Sequence, residues 1–319
     1  MASAVRKEDE YEDLLSLWSD LELGLGIVLG SPHNTQEFQL RVRQYDLWMQ
    51  TLLERDTDLG LYLLFQLATN SPVGYSASHA LVCAVLCHLM ATQLKLPKGE
   101  RDSLVHSALT MNIAMTTLQD QLALQVEKPS AEQQEGIRSH AVRGALMLTE
   151  LGVVDQLWLD TVTLHHDEGG DNEALPSLPP ARRLARILRM VDRYAAMISP
   201  RKSREGRSAT DSARSITVIA SKENDTVGHA LLSIVGLCPP GTFVRLGNGH
   251  VAVVIRRSSE PNLPLVAIVI SEAGALVNPP QLHQITADGI GIRSALAASA
   301  VHENLNHYLI LRMAINATA

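Results

Sequence analysis

From about Ser76 to Ser215 the sequence keeps helical apolar spacing, broken by turn or loop signals at Lys95–Glu100, Glu127–Ser130, Gly169–Pro180 and Ser199–Arg207. A block of this length predicts about five packed helices in an all-α domain. Only 4% of the residues are aromatic, so the core must be aliphatic and alanine-rich, which suits helix packing. The 319 residues are enough for two domains, or for one domain with extensions.

The flanks read differently. Between Glu8 and about Leu25 the pattern Leu14, Leu15, Leu17, Trp18, Leu21, Leu23 is helical. Asn34 and Thr35 then precede a second helical stretch to about Thr69, with a break near Asp56–Asp58. Neither stretch holds a catalytic constellation, and both suit packing on the next domain or a dimer interface. Beyond about Asn224 the texture changes: GTFVRLGNGHVAVVIRR holds two β-type runs joined by Gly-Asn-Gly, a strong hairpin signal. Leu265–Ile270 predicts a third strand, and the residues from about Arg293 predict an alanine-rich helix ending near Met313. The expected organisation is a helical region over 1–70, a helical domain over 71–222, and a β-hairpin extension with a terminal helix over 223–319. The fold class is mainly α with a small C-terminal antiparallel β element.

A net charge of −7 argues against a nucleic-acid partner, which usually selects a basic surface. Cys83, Cys87 and Cys238 form neither a disulfide framework nor a CxxC pair. Cys83 and Cys87 lie four apart in an apolar helical run and read as small core residues. The N-terminal segment has no apolar signal core, and no run of about 18 apolar residues is present. A cytoplasmic protein without a membrane span is expected.

Five residues combine into a candidate metal set: His79 at a helix start, His140 in mid-helix, the His165-His166 pair at a helix end, and Asp192 beside an aliphatic stripe. Taken singly, each reads as a core or helix-end residue. Together they supply imidazole and carboxylate, the usual donors to Fe, Mn, Zn or Ni. The sequence alone does not show that they converge, so one divalent ion or none is compatible with it.

The runs YSASHALVCAVLCHLMATQLKLP, SHAVRGALMLTELG, TLHHDEGG and ARRLARILRMVDRYAAMISPRKSR resemble, in order and spacing, the HD-GYP domain of the HD superfamily of metal-dependent phosphohydrolases. PPGTFVRLGNGHVAVVIRR is similar to the hairpin extension that often follows such domains. The resemblance covers roughly Ser71 to Ile270 and implies an HD-type helical bundle. Active relatives hold two or three metal ions and hydrolyse cyclic di-GMP. By that resemblance His79, His140, His165, His166 and Asp192 match metal ligands. Arg201 and Arg204 fall where relatives place residues that contact the dinucleotide phosphates.

The departures carry equal weight. Where active members have His-Asp in a segment ending Ile-Gly-Lys, this chain has Met111-Asn112-Ile113-Ala114-Met115. The missing Asp bridges two metals, and bridging needs an anionic oxygen that neutral Asn112 lacks. Met111 offers a soft thioether, and Met115 removes a cation. Tyr75 stands at an early acidic ligand position, and the Gly-Tyr-Pro after the double histidine is replaced by Gly169-Gly170-Asp171-Asn172-Glu173 and Leu175-Pro176. A two-metal mechanism needs its ions both to form the nucleophile and to stabilise the phosphoryl charge. The resemblance therefore implies a signalling pseudoenzyme that binds a cyclic dinucleotide, or a scaffold for a protein partner or homodimer through its N-terminal helices. An active mononuclear phosphohydrolase is the alternative.

Ten of the 27 Lys and Arg residues lie between Arg182 and Arg214. Arg182, Arg186, Arg189 and Arg193 are spaced to fall opposite the aliphatic stripe and read as a solvated face. Arg201, Lys202, Arg204 and Arg207 sit in a Ser/Gly-containing loop suited to phosphate contacts.

Overall fold

A computed structural model describes residues 2–70, 73–169, 173–199, 201–202, 208, 210–216, 225–258, 260, 263–301 and 305–316. The helices are α1 (Ala2–Gly30), α2 (Phe38–Arg55), α3 (Thr57–Asn70), α4 (Tyr75–Gln93), α5 (Lys98–Thr110), α6 (Thr116–Leu124), α7 (Ala131–Glu150), α8 (Gln156–Leu164), α9 (Pro180–Ile198), α10 (Thr226–Val235) and α11 (His307–Asn316). Residues 210–216 form a further helical turn. The molecule is mainly helical, with a small antiparallel sheet toward its C-terminus.

Helix α4 is the axis of the bundle. Its residues from Ser76 to Cys87 are buried on every side, as expected for a helix apolar all round. It is the one helix among the described residues long and apolar enough to cross a membrane, yet most of it is covered by neighbouring helices. Helices α3, α5, α9 and α10 pack around it, α8 bridges α5 and α9, and α7 lies on α8. Its first turn is closed from outside: Asp120 on α6 accepts bonds from the Ser76 amide (2.7 Å) and hydroxyl (2.9 Å). A carboxylate there satisfies a free amide and complements the helix dipole. Helix α7 begins with a reciprocal Ser130/Gln133 capping box.

The Asp56–Asp58 break is real and has a structural use. Asp56 caps α3 through the Leu59 amide (3.0 Å). It also pairs with Arg256 (2.6 Å), while Asp58 pairs with Arg257 (2.5 Å), so the interruption between α2 and α3 anchors the sheet.

The sheet has five strands in the order β4-β3-β2-β1-β5: β1 (Phe243–Leu246), β2 (Val251–Arg256), β3 (Leu265–Ile270), β4 (Leu276–Gln284) and β5 (Ile292–Leu296). Gly249, at φ +88°, closes the β1–β2 turn in the conformation that glycine tolerates best. Alternating residues feed two cores: Phe243, Val251, Val253, Ala267 and Val269 join the main helical core. Val244, Leu246, Ala252, Val254 and Val266 form a second cluster on the other face. The segment expected to be helical from Arg293 is instead β5, followed by a short 3₁₀ turn and then α11 from His307.

The basic face of α9 also needs correction. Arg193 is exposed, but Arg186 is buried and pairs with Asp225 at 2.8 Å. Arg189 bonds the Asp167 carbonyl, and Arg182 lies 3.5 Å from the Asp167 carboxylate. The adjacent Arg183 grips Glu100 at 2.7 Å. Basic residues on this helix hold loops and neighbouring helices to it rather than only facing water.

Candidate metal and nucleotide site

The predicted residues come from four helices that the packing brings to one end of the bundle. His79 lies in the second turn of α4, His140 in mid-α7, His165 and His166 at the end of α8, and Asp192 on α9. Amphipathic spacing turns His140 inward with Gly144 and Leu148. The end of α8 leaves His165 buried and His166 exposed.

His140, His165 and His166 converge, with one ring nitrogen from each lying within 4.8 Å of the others. His140 Nδ1 donates to the Ile137 carbonyl (2.5 Å) and His165 Nδ1 to the Val162 carbonyl (2.6 Å). A carbonyl only accepts, so these bonds fix the Nδ1–H tautomer and leave a lone pair on each Nε2. The two Nε2 atoms face each other at 3.2 Å. In neutral rings those lone pairs repel, and a cation between them turns repulsion into ligation. Backbone bonds that fix the tautomer are also the usual outer-shell support of metal-binding histidines. The donor set fits a divalent metal.

Burial keeps the rings neutral. It lowers the His140 pKa and, with His166 adding to the effect, pushes that of His165 from 6.5 to about 3. The unfolded chain therefore takes up a proton that folded His165 refuses. Its contribution to stability is full above about pH 6.5 and is lost as pH falls toward 3. Between about pH 7 and about pH 5 this residue alone should lower metal-free stability by about 2 kcal/mol. Urea titrations at the two pH values check this, and an unchanged midpoint would refute it.

A second group surrounds His79. Its Nε2 lies 2.8 Å from Asp192 Oδ1 and 3.6 Å from Cys83 Sγ. Burial opposes ionisation of Asp192, whose side chain is 22% exposed. The hydrogen bond from His79, with the neighbouring imidazoles of His79, His165 and His166 favouring the anion, outweighs it and holds the pKa at about 2. Asp192 is therefore an anion within electrostatic reach of both groups. Sequence reasoning placed Cys83 in the core and missed its sulfur, although its position four residues after His79 put both on one helix face.

Tyr75 does not act as an acidic ligand. Its ring stacks on His79 (5.4 Å between centroids, 13° between planes). The Arg201 guanidinium lies 4.7 Å from the ring centroid and donates to the Tyr75 hydroxyl at 2.8 Å. The backbone amide of Lys202 bonds the Ala123 carbonyl (2.8 Å), tying this loop to α6. Arg201 is thus held one ring away from His79, across Tyr75. Arg204 lies outside the described residues, as do residues 170–172 of the segment that replaces Gly-Tyr-Pro.

Met111 is 1% exposed and ends α5, so its side chain belongs to the core. Asn112 is half-buried, and its carbonyl accepts from the Met115 amide at 2.8 Å in the 3₁₀ turn before α6. Met115 is half-buried and lines an open groove with Ile113, Arg143 and Met147.

Together the fold and the site define a helical-bundle protein with a histidine–carboxylate centre. Its sequence is 30% identical over 230 residues to the cyclic di-GMP phosphodiesterase PA4108 of Pseudomonas aeruginosa, a match covering 70% of this chain and 54% of that protein. The chain thus spans about half the length of this curated relative. No protein-family model matches the chain.

Proposed function

We propose that the chain is a divergent HD-GYP protein that holds a divalent metal on His140, His165 and His166 and binds a cyclic dinucleotide of the cyclic di-GMP type, without two-metal hydrolysis. The observation that carries this reading is the pair of imidazole lone pairs facing each other at 3.2 Å, in a chain with neutral Asn112 at the bridging position. Homology to a cyclic di-GMP phosphodiesterase supports the ligand class. Arg201, fixed against the Tyr75 ring that stacks on His79, supplies a guanidinium for phosphate oxygens. When bound, the metal supplies positive charge for a phosphate oxygen; Asn112 supplies no anion to join it to a second ion.

Two variants test the assignments. His166→Ala removes an exposed donor and should lower metal affinity at least about tenfold, the floor set by losing even an outer-shell partner of a metal ligand. Competition with a chelating dye measures it, and unchanged affinity would refute the site. Arg201→Ala should weaken cyclic di-GMP binding roughly 10–100-fold, the scale of a lost charge-assisted hydrogen bond. Titration calorimetry reads this directly, and equal affinities would remove Arg201 from the binding surface.

A second reading is an active mononuclear hydrolase. It is favoured by the three-imidazole set itself, since three protein ligands leave a position open for water in catalytic zinc centres. Turnover by metal-loaded protein separates the two readings.

A further inference from the structure

We propose that Cys83 supplies a thiolate ligand to a metal ion held with His79 and Asp192, with a borderline-soft divalent ion such as Zn²⁺ as the occupant. This deepens the metal-holding reading above, which assigns no thiol.

His79 and Cys83 are four residues apart on α4, so both project from one face a single turn apart. Asp192 approaches from α9, which packs against that face. One donor atom from each lies within 4.8 Å of the others. In a tetrahedral site with Zn–S near 2.3 Å and Zn–N near 2.05 Å, sulfur and nitrogen stand about 3.6 Å apart. The observed Cys83 Sγ to His79 Nε2 separation is 3.6 Å. A nitrogen and an oxygen in such a site stand roughly 3.3 Å apart, so His79 and Asp192, now 2.8 Å apart, need to part by about half an ångström. Asp192 is partly exposed and has room to turn.

The protons balance. His79 Nε2 now donates to ionised Asp192, and its buried Nδ1 has no hydrogen-bond partner among the described residues. On metal binding the imidazole proton moves from Nε2 to Nδ1, and the Nε2 lone pair becomes a ligand. The Cys83 thiol releases one proton to solvent and binds as thiolate, as coordinating thiols do. Without a metal, burial pushes the thiol pKa well above its usual range, so Cys83 is an inert S–H beside an imidazole. Thiolate, imidazole and carboxylate together select Zn²⁺ or Co²⁺ over Mg²⁺ or Mn²⁺.

Cobalt substitution tests this on the full-length protein. Metal-stripped protein titrated with Co²⁺ should develop a near-ultraviolet thiolate-to-cobalt charge-transfer band. Cys83→Ser should abolish it and lower bound metal by about one equivalent. Cys87→Ser and His140→Ala should retain it, since Cys87 belongs to no donor group and His140 belongs to the other centre. No band in wild type, or a band that survives Cys83→Ser, overturns the proposal; a band lost in His140→Ala overturns the separateness of the two sites. X-ray absorption of Zn²⁺-loaded wild type needs no variant: a sulfur neighbour near 2.3 Å supports the site, and a shell of nitrogen and oxygen alone refutes it. If the sulfur signature appears while His166→Ala leaves metal binding unchanged, the histidine centre fails and this inference stands. The reverse pattern leaves the histidine centre and removes the thiolate site.

Discussion

Asp225→Ala should destabilise the protein by about 3–5 kcal/mol, the cost of stripping one partner from a buried ion pair. The Asp225 and Arg186 side chains are 2% and 9% exposed, and their contact is 2.8 Å. Arg186 also donates to the Glu173 carbonyl (2.8 Å), which holds the loop before α9 in place. Without Asp225 a guanidinium charge stays in the interior with only a carbonyl to face. The same carboxylate caps α10 through the amides of Val227 (3.2 Å) and Gly228 (3.3 Å), and losing a cap adds about 1 kcal/mol. Asp225→Asn keeps the acceptor oxygen and should cost less than the alanine variant. Arg193→Ala, on the exposed face of the same helix, should stay within about 0.5 kcal/mol of wild type. Urea unfolding of the three variants decides: equal midpoints for Asp225→Ala and Arg193→Ala would show that the buried pair contributes nothing.

Met111→His/Asn112→Asp should raise turnover of cyclic di-GMP above the wild-type level. The substitution returns an anionic oxygen and an imidazole at the start of the 3₁₀ turn, which packs on the helix carrying His140. A carboxylate there supplies the charge that a shared pair of divalent ions requires. Metal affinity should rise at least about tenfold, the scale of one added charged contact at about 1.5–3 kcal/mol. Hydrolysis by the metal-loaded double variant should exceed that of metal-loaded wild type. Asn112→Asp alone should raise metal affinity without the full gain in turnover. Met111 is packed in the core, so the histidine also exchanges an apolar side chain for a polar one. The double variant should therefore be less stable without metal, and added metal should recover part of that loss by mass action. Unchanged metal affinity in both variants would show that position 112 does not face the site.

The sequence made legible whatever rests on local periodicity. The helical block, the Asp56 break and the Gly-Asn-Gly hairpin all leave local marks. Strands β2 and β3 were visible because a strand covered on both faces is a continuous apolar run, and β1 because the Gly-Asn-Gly turn joins it to β2. The two edge strands were not. Strand β4 contains Pro279 and Pro280, which argue against a central strand but are tolerated at an edge, and β5 reads IRSAL, with no apolar run at all. Their strand character comes from pairing with β3 and β1, which a local reading does not contain.

The same limit applies to the candidate site. The five candidate positions stood out by residue type, but their convergence was expected only through resemblance, because the side chains meet only when α4, α7, α8 and α9 pack. Arg186 read as solvated because its partner, Asp225, lies 39 residues away in sequence. Cys83 read as core, and it is buried. The sequence did not show that Asp192 meets the His79–Cys83 face, which depends on how α9 packs against α4.

The central claim is that this centre holds metal and nucleotide but lacks two-metal hydrolysis. Calorimetric binding and product formation measured with cyclic di-GMP on one metal-loaded wild-type preparation test it most directly. The account predicts saturable binding that Arg201→Ala weakens, with the dinucleotide recovered intact after prolonged incubation. Steady formation of linear dinucleotide or mononucleotide by wild type, abolished by His166→Ala, would contradict it and establish the protein as a working phosphodiesterase.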